Sequence, residues 1–126
     1  MSTNNNNKAF VHRYLDAING KDKPAALVDQ YIADSDAILK QHIMGFEAAF
    51  PHYTLKVEDL FGEDDKVAVR FLFQGKQKGD FMGIPATNKE VNVPGLILYR
   101  IADGKIAEHW MIVDVPVLMQ QLGVKG

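Results

Sequence analysis

The hydrophobic pattern changes its period at Pro51, and few architectures satisfy both halves. Before that point the apolar residues recur at helical spacing. Phe10, Val11, Tyr14, Leu15 and Ile18 form one stripe, closed by Asn19-Gly20. Pro24 sits in the first turn of a second, short helix carrying Leu27, Val28, Tyr31 and Ile32, where its missing N–H costs nothing. Asp34 is placed to N-cap a third helix, whose stripe is Leu39, Ile43, Phe46 and Phe50. Three amphipathic helices in succession need an apolar surface to cover.

After Pro51 the period becomes two. Tyr53, Leu55, Val57 and Phe61 share one parity, and Val67, Val69, Phe71 and Phe73 alternate with Ala68, Arg70, Leu72 and Gln74. A glycine-punctuated stretch runs from Gly75 to Asn88. Two further strands follow, about Glu90–Ile101 and Lys105–Val113, joined by a tight turn at Asp103-Gly104. Pro94 and Gly95 suggest a bulge or bend in the first of them. A short helix, Pro116 to Leu122, ends at Gly123. Helices first and antiparallel strands second argue an α+β fold, with the helices gathered on one face of a curved sheet.

Composition narrows the chemistry. The 126 residues fit one domain, read here as residues 8–124 after a frayed polar tail at 1–7. That tail lacks the basic start and apolar core of a signal peptide, and no apolar run reaches membrane-span length. The chain has no cysteine, which excludes disulfides, thiolate metal sites and cysteine nucleophiles, and suits the cytoplasm, its expected location. With a net charge of −2 and no basic stripe, no nucleic-acid partner is expected. The only serines are Ser2 and Ser35, outside any nucleophile elbow, and no His-Glu-x-x-His or close histidine pair suggests a metal.

From Phe50 onward the order of motifs is specific. Phe50-Pro51, Asp65-Lys66-Val67-Ala68, Gly79-Asp80-Phe81-Met82-Gly83-Ile84-Pro85, Tyr99-Arg100-Ile101, Gly104-Lys105-Ile106-Ala107-Glu108-His109-Trp110, Asp114 and Gln121-Leu122-Gly123 stand as they do in SnoaL-like ester cyclases. The chain resembles that family over about residues 8–124. The resemblance implies a cone-shaped fold, with N-terminal helices on a strongly curved, mostly antiparallel sheet that encloses a pocket. It also implies homodimers paired through the sheet, which fits strands apolar on both faces. Two departures stand out. Gly75-Lys76-Gln77 replaces a frequent Gly-Thr-His, so position 77 hydrogen-bonds but does not titrate near neutral pH. Pro85-Ala86-Thr87-Asn88 replaces Pro-Pro-Thr-Gly, and asparagine tolerates the left-handed conformation of the lost glycine.

The activity implied is an intramolecular aldol closure or related acid/base chemistry, which needs a positioned carboxylate in a dry pocket and no cofactor. The resemblance makes Asp114 the acid/base, on the same strand parity as Trp110; equally, Asp114 precedes Val115-Pro116 and can N-cap the last helix. His42, beside Ile43, is the second catalytic candidate. His109 faces away from Asp114 by alternation and reads as structural or interfacial; His12 and His52 read as surface residues. Tyr14, Phe46, Gln77, Phe81, Met82 and Trp110 are candidate substrate contacts. Arg70 either pairs with Glu58 or Asp59 or points a cationic fork into the pocket. Three functions compete: a cofactor-free acid/base enzyme on a small hydrophobic carbonyl compound, a binding module for a hydrophobic metabolite, and a dimerising scaffold.

Overall fold

The computed structural model of the protein describes residues 3–123, with side chains from Asn6 onward. The order is α1 (Thr3–Ile18), α2 (Ala25–Tyr31), a 3-10 turn (Asp34–Asp36), α3 (Ala37–Ala49), β1 (Thr54–Glu63), β2 (Lys66–Lys76), β3 (Glu90–Ala102), β4 (Lys105–Val113) and α4 (Val115–Gln121). The four strands form one antiparallel sheet in the order β1-β2-β3-β4. This is the α+β arrangement the change of period demands. Its helical stripes are buried at Val11, Tyr14, Leu15, Ile18, Leu39 and Ile43, facing Val67, Val69, Phe71 and Phe73 of β2.

Four local expectations differ from the structure. The helix begins at Thr3, so Asn4 to Asn7 belong to α1 rather than to a tail; Met1, Ser2 and Val124 lie outside the described residues. The cap of α3 is Asp36, whose side chain accepts the Leu39 N–H, while Asp34 opens the preceding 3-10 turn. On β1 a bulge between Val57 and Asp59 flips the parity. Leu60 therefore turns inward, and Phe61 is 65% exposed on the outer face. Pro94 and Gly95 cause no register shift against β2; the irregularity in β3 falls between Arg100 and Ile101. Pro94 is tolerated because the β3–β4 ladder ends beside it, at Gly95↔Val113.

Gly95 has a packing role. A Cβ there would meet Phe71 Cζ at 2.6 Å and the Ile112 carbonyl oxygen at 2.9 Å. The missing side chain lets the buried Phe71 ring lie across β3. The Asp103-Gly104 turn also follows from local chemistry: both residues have positive φ, 52° and 76°, as a two-residue hairpin turn between paired Ala102 and Lys105 requires.

Gly95→Ala is expected to destabilise the protein by about 1–3 kcal/mol through overpacking. A urea titration reads the loss as a lower midpoint, and adding Phe71→Leu should recover part of it. An unchanged midpoint in Gly95→Ala would show that the strand moves aside freely.

Candidate functional site

The site is assembled where the chain between α2 and α3 runs along β4. Ile32 forms a parallel bridge with Ile106, the Ala33 N–H donates to the Ile106 carbonyl at 2.8 Å, and Ser35 Oγ donates to the Ala107 carbonyl at 2.9 Å. This stitching delivers Asp36 to the inner face of the sheet, where its side chain is almost fully buried. Its carboxylate has two jobs. Oδ1 accepts the Leu39 N–H at 3.1 Å and caps α3, while Oδ2 lies 2.7 Å from His109 Nδ1.

Because a carboxylate can only accept, His109 Nδ1 carries the proton, and in the neutral ring Nε2 is left as the basic nitrogen. His109 is paired directly across the ladder with Tyr99 of β3, on the inward parity shared by Met111 and Val113. Cross-strand partners of this kind hold their side chains in contact range. Beside them, the His42 ring of α3 meets the His109 ring edge-on, with centroids 5.9 Å apart. Tyr14 of α1 meets Tyr99 edge-on at 5.9 Å.

Of these groups, Tyr14, His42 and Tyr99 line an apolar cavity of about 30 Å³; His109 and Asp36 adjoin them without being part of its lining. Leu39, His42, Ile43 and Phe46 of α3 form one wall, and the inner side chains of the sheet form the other. Among the described residues, its polar lining consists of His42 and the hydroxyl-bearing Tyr14, Tyr53 and Tyr99; no carboxylate lines it. Burial pushes the Tyr14 and Tyr99 hydroxyls well above the ordinary phenol range. Tyr99 and then Tyr53 add to it at Tyr14, Tyr53 adds to it at Tyr99 while Tyr14 works against it, and the nearby Asp36 carboxylate adds to both. Burial, followed by Glu47, does the same to Tyr53. All three remain neutral donors. The Tyr99 hydroxyl is buried and has no hydrogen-bond partner among the described residues.

Of the residues singled out in the sequence, Tyr14, His42 and Phe46 come together at this cavity. The others stand elsewhere. Asp114 is exposed, and its Oδ1 accepts the Val117 N–H at 3.2 Å, so its geometry is that of the helix cap. Trp110 shares the outer parity with Glu108 and Ile112 and is 49% exposed. Arg70 is on the same outer face, with Nε 2.8 Å from Asp59 Oδ2, rather than in the cavity. Gln77 is completely buried, but its amide is used up within the 77–88 segment. Nε2 donates to the Gly79 and Ile84 carbonyls, and Oε1 accepts from the Thr87 N–H and Oγ1. Asn88 takes the left-handed conformation expected of it, with φ 58°. Phe81 packs on Phe46 and Phe50 without lining the cavity, and Met82 is exposed at the tip of the Phe81–Ile84 turn.

Asp36 was not singled out in the sequence, and His109 was readable only as a structural or interfacial group, because alternation along β4 does not say which apolar face is inner. The signal that resolves it is charge: Arg100 and Glu108 share the Trp110 parity and pair with each other on the outside. Asp22, Glu47 and His52 also converge, on the surface. There Lys23 Nζ lies 2.8 Å from Glu47 Oε1, and Glu47 accepts the His52 N–H. His52 Nε2 in turn meets Asp22, so the three groups are engaged with one another and with Lys23.

The fold and cavity define a small cone-shaped α+β protein built around an apolar interior. The sequence matches the family of SnoaL-like polyketide cyclases over residues 9–122, and the chain belongs to that family. Among solved structures, AclR, a proposed hydroxylase from Streptomyces galilaeus, is 27% identical with a TM-score of 0.82, covering 96% of this chain and 83% of its own. IdmH, a proposed polyketide cyclase from Streptomyces antibioticus, is 27% identical with a TM-score of 0.75, over 94% and 99%. A proposed SnoaL-like polyketide cyclase from Jannaschia sp. CCS1 shares the fold at 22% identity, with a TM-score of 0.86 over 100% and 98%. No protein of curated function matches the sequence significantly. Among the described residues, no helix is long and apolar enough to cross a membrane.

Two substitutions separate structural from chemical roles. Asp114→Ala should cost about 1 kcal/mol by removing the cap, whereas Asp114→Asn, which caps equally well, should leave the melting temperature unchanged. Gln77→Ala leaves the Gly79 and Ile84 carbonyls and the Thr87 N–H unpaired. It should lower stability by about 2–3 kcal/mol and raise amide exchange across residues 78–88, read by hydrogen–deuterium exchange.

Proposed function

We propose that this protein is a cofactor-free acid/base enzyme of the cyclase, isomerase or dehydratase type, acting on a small hydrophobic carbonyl compound. The observation that supports this reading is the buried Asp36–His109 pair, packed against Tyr99 and His42, which line an otherwise apolar cavity. His109 Nε2 takes a proton from the carbon next to the carbonyl, and Asp36 stabilises the imidazolium that forms. The electron pair moves into the enolate. In a cyclase the enolate carbon then attacks a second carbonyl, and the proton held on His109 passes to the new alkoxide. A base so placed contributes about 10²–10⁴-fold in rate. His42, exposed on its outer side and lining the cavity, is the proposed route for proton exchange with solvent.

The cavity has room for only one or two water molecules, so a larger substrate must part the wall. The proposed entrance is at Phe46 and Phe81, which stack with centroids 5.7 Å apart and are both half-buried. Phe81 belongs to the segment that Gln77 braces, so the brace limits how far that wall yields.

A substrate-independent assay tests the chemistry: hydrogen–deuterium exchange of the α-protons of 2-tetralone in D2O, followed by NMR. The protein is expected to accelerate exchange over buffer. Asp36→Asn keeps the cap on Leu39 but removes the carboxylate from His109, and should slow exchange by about 100-fold. Asp114→Asn should stay within about twofold of the unsubstituted protein, a margin well below the contribution of a general base. The reverse pattern would put the base at Asp114, as the family resemblance implies. Saturable 2-tetralone binding with no exchange would instead favour a binding module, a reading supported by the structural use of Asp114 and Gln77.

We further propose a homodimer through the sheet. Phe61, Ala68, Leu98 and Trp110 align in one row across the outer face, and Asp59, Arg70, Leu96 and Ile112 in the next. Exposure reaches 73% at Ile112, 52% at Leu96 and 65% at Phe61, a contiguous apolar patch crossed by one ion pair. Ile112→Lys is expected to turn a dimer into a monomer in sedimentation velocity. A monomer before substitution would end this proposal.

A further inference from the structure

The Tyr99 hydroxyl is a buried donor that makes no well-formed hydrogen bond among the described residues. The residue is completely buried, and its oxygen has no hydrogen-bond partner among the described residues. Its neighbours do not relieve this. The Asp36 carboxylate is close enough to disfavour ionisation of the phenol, yet Oδ1 is held by the Leu39 N–H and Oδ2 by His109. The Tyr14 hydroxyl is a polar neighbour close enough to ease its ionisation, but the two rings meet edge-on and the pair does not reach hydrogen-bond geometry. A phenylalanine would occupy the same space without the penalty of an unpaired hydroxyl, so at this position tyrosine is the less stable choice. Such a choice calls for a partner that arrives from outside the chain.

We propose that Tyr99 is a ligand-positioning residue, donating its O–H to a carbonyl oxygen that the ligand carries into the cavity beside the Asp36–His109 pair. This rests on the reading of the cavity as a binding site for a hydrophobic carbonyl compound, and narrows the ligand class. The partner is an acceptor, because burial keeps the phenol protonated. It is neutral, because among the described residues no lysine or arginine lines the cavity to offset an anion, and Asp36 lies nearby. The rest of the ligand is apolar, to suit the walls formed by Ile43, Phe71, Phe73 and Ile97. The cross-strand pairing of Tyr99 with His109 gives this contact its use. An oxygen fixed at Tyr99 presents the adjacent carbon to the His109 side of the cavity, and the same hydrogen bond stabilises the enolate oxygen as charge moves onto it.

The experiment compares two probes of one shape, 2-tetralone and tetralin, which differ only in the ketone oxygen. Each is titrated by NMR against the intact protein and against Tyr99→Phe, and the melting temperature of both proteins is recorded. The expected result is that Tyr99→Phe weakens 2-tetralone about fivefold, leaves tetralin unchanged, and holds or raises the melting temperature. A hydroxyl with a merely structural role would lower the melting temperature and affect both probes alike. With 2-tetralone carrying ¹³C at its carbonyl, the bound resonance in the unsubstituted protein should also move downfield, a readout that needs no variant. Equal ketone affinity in the two proteins, or no downfield shift, would overturn this inference and leave the carbonyl-enzyme reading standing. Failure of both probes to bind the unsubstituted protein saturably would remove the cavity reading and this inference together.

Discussion

The rest of the structure depends on one carboxylate. Asp36 is buried, and a buried acidic group is tolerated only when both oxygens are occupied by donors. One oxygen closes the N-terminus of α3, where the helix dipole favours negative charge, and the other holds His109. The first contact fixes the start of the helix that walls the cavity; the second fixes the tautomer of a strand histidine. Neither would form if the Ile32–Asp36 segment were not tied to β4 by its bonds to Ile106 and Ala107. Moving this aspartate by one residue would therefore disturb a helix cap, a strand contact and the electrostatics of the cavity together.

The sheet carries this arrangement because both of its faces are apolar. The inward rows, Val67–Tyr99–His109 and Val69–Ile97–Met111, meet the helices, while the outward rows carry Leu98–Trp110 and Leu96–Ile112. Two irregularities fit the strands to these jobs. The bulge after Val57 exchanges the faces of β1, so Leu60 joins the interior and Phe61 the outer patch. The bare backbone at Gly95 admits the Phe71 ring, which in turn walls the cavity. Departures from ideal strand geometry thus fall where the sheet changes its partner.

How far the sequence was legible follows from the same two-faced chemistry. The order of elements and their approximate limits could be read from the period change at Pro51, because an amphipathic helix and an alternating strand leave different patterns. The inner faces of the helices and of β2 were legible for that reason: their opposite faces are polar or mixed. On β4 the test fails, since Trp110 and Ile112 are as apolar as Met111 and Val113. Trp110 was therefore grouped with the pocket and His109 turned away from it. Asp36 was hidden for a different reason. Asp34 and Asp36 are equally good caps by composition, and only the tertiary bridge between Ile32 and Ile106 selects between them. Gln77 illustrates a third limit. Its departure from the family histidine was visible, but four hydrogen bonds that brace a loop leave no trace in local spacing.

These observations locate the polar chemistry of the chain more narrowly than family membership does. At the 77–88 segment, a glutamine satisfied on both ends of its amide has no atom left for a ligand. At the end of β4, the Asp114 carboxylate is exposed and engaged by the first turn of α4. What remains around the cavity is an uneven set: a histidine oriented by a buried carboxylate, a second histidine reaching from the cavity wall towards solvent, and a phenol without a partner. Natural interiors rarely retain an unpaired hydroxyl beside a buried acid, since each alone lowers stability. The phenol and the histidine that the acid holds are paired directly across one ladder, which concentrates the instability beside the cavity, as expected when polar groups are arranged for something that enters rather than for the fold itself.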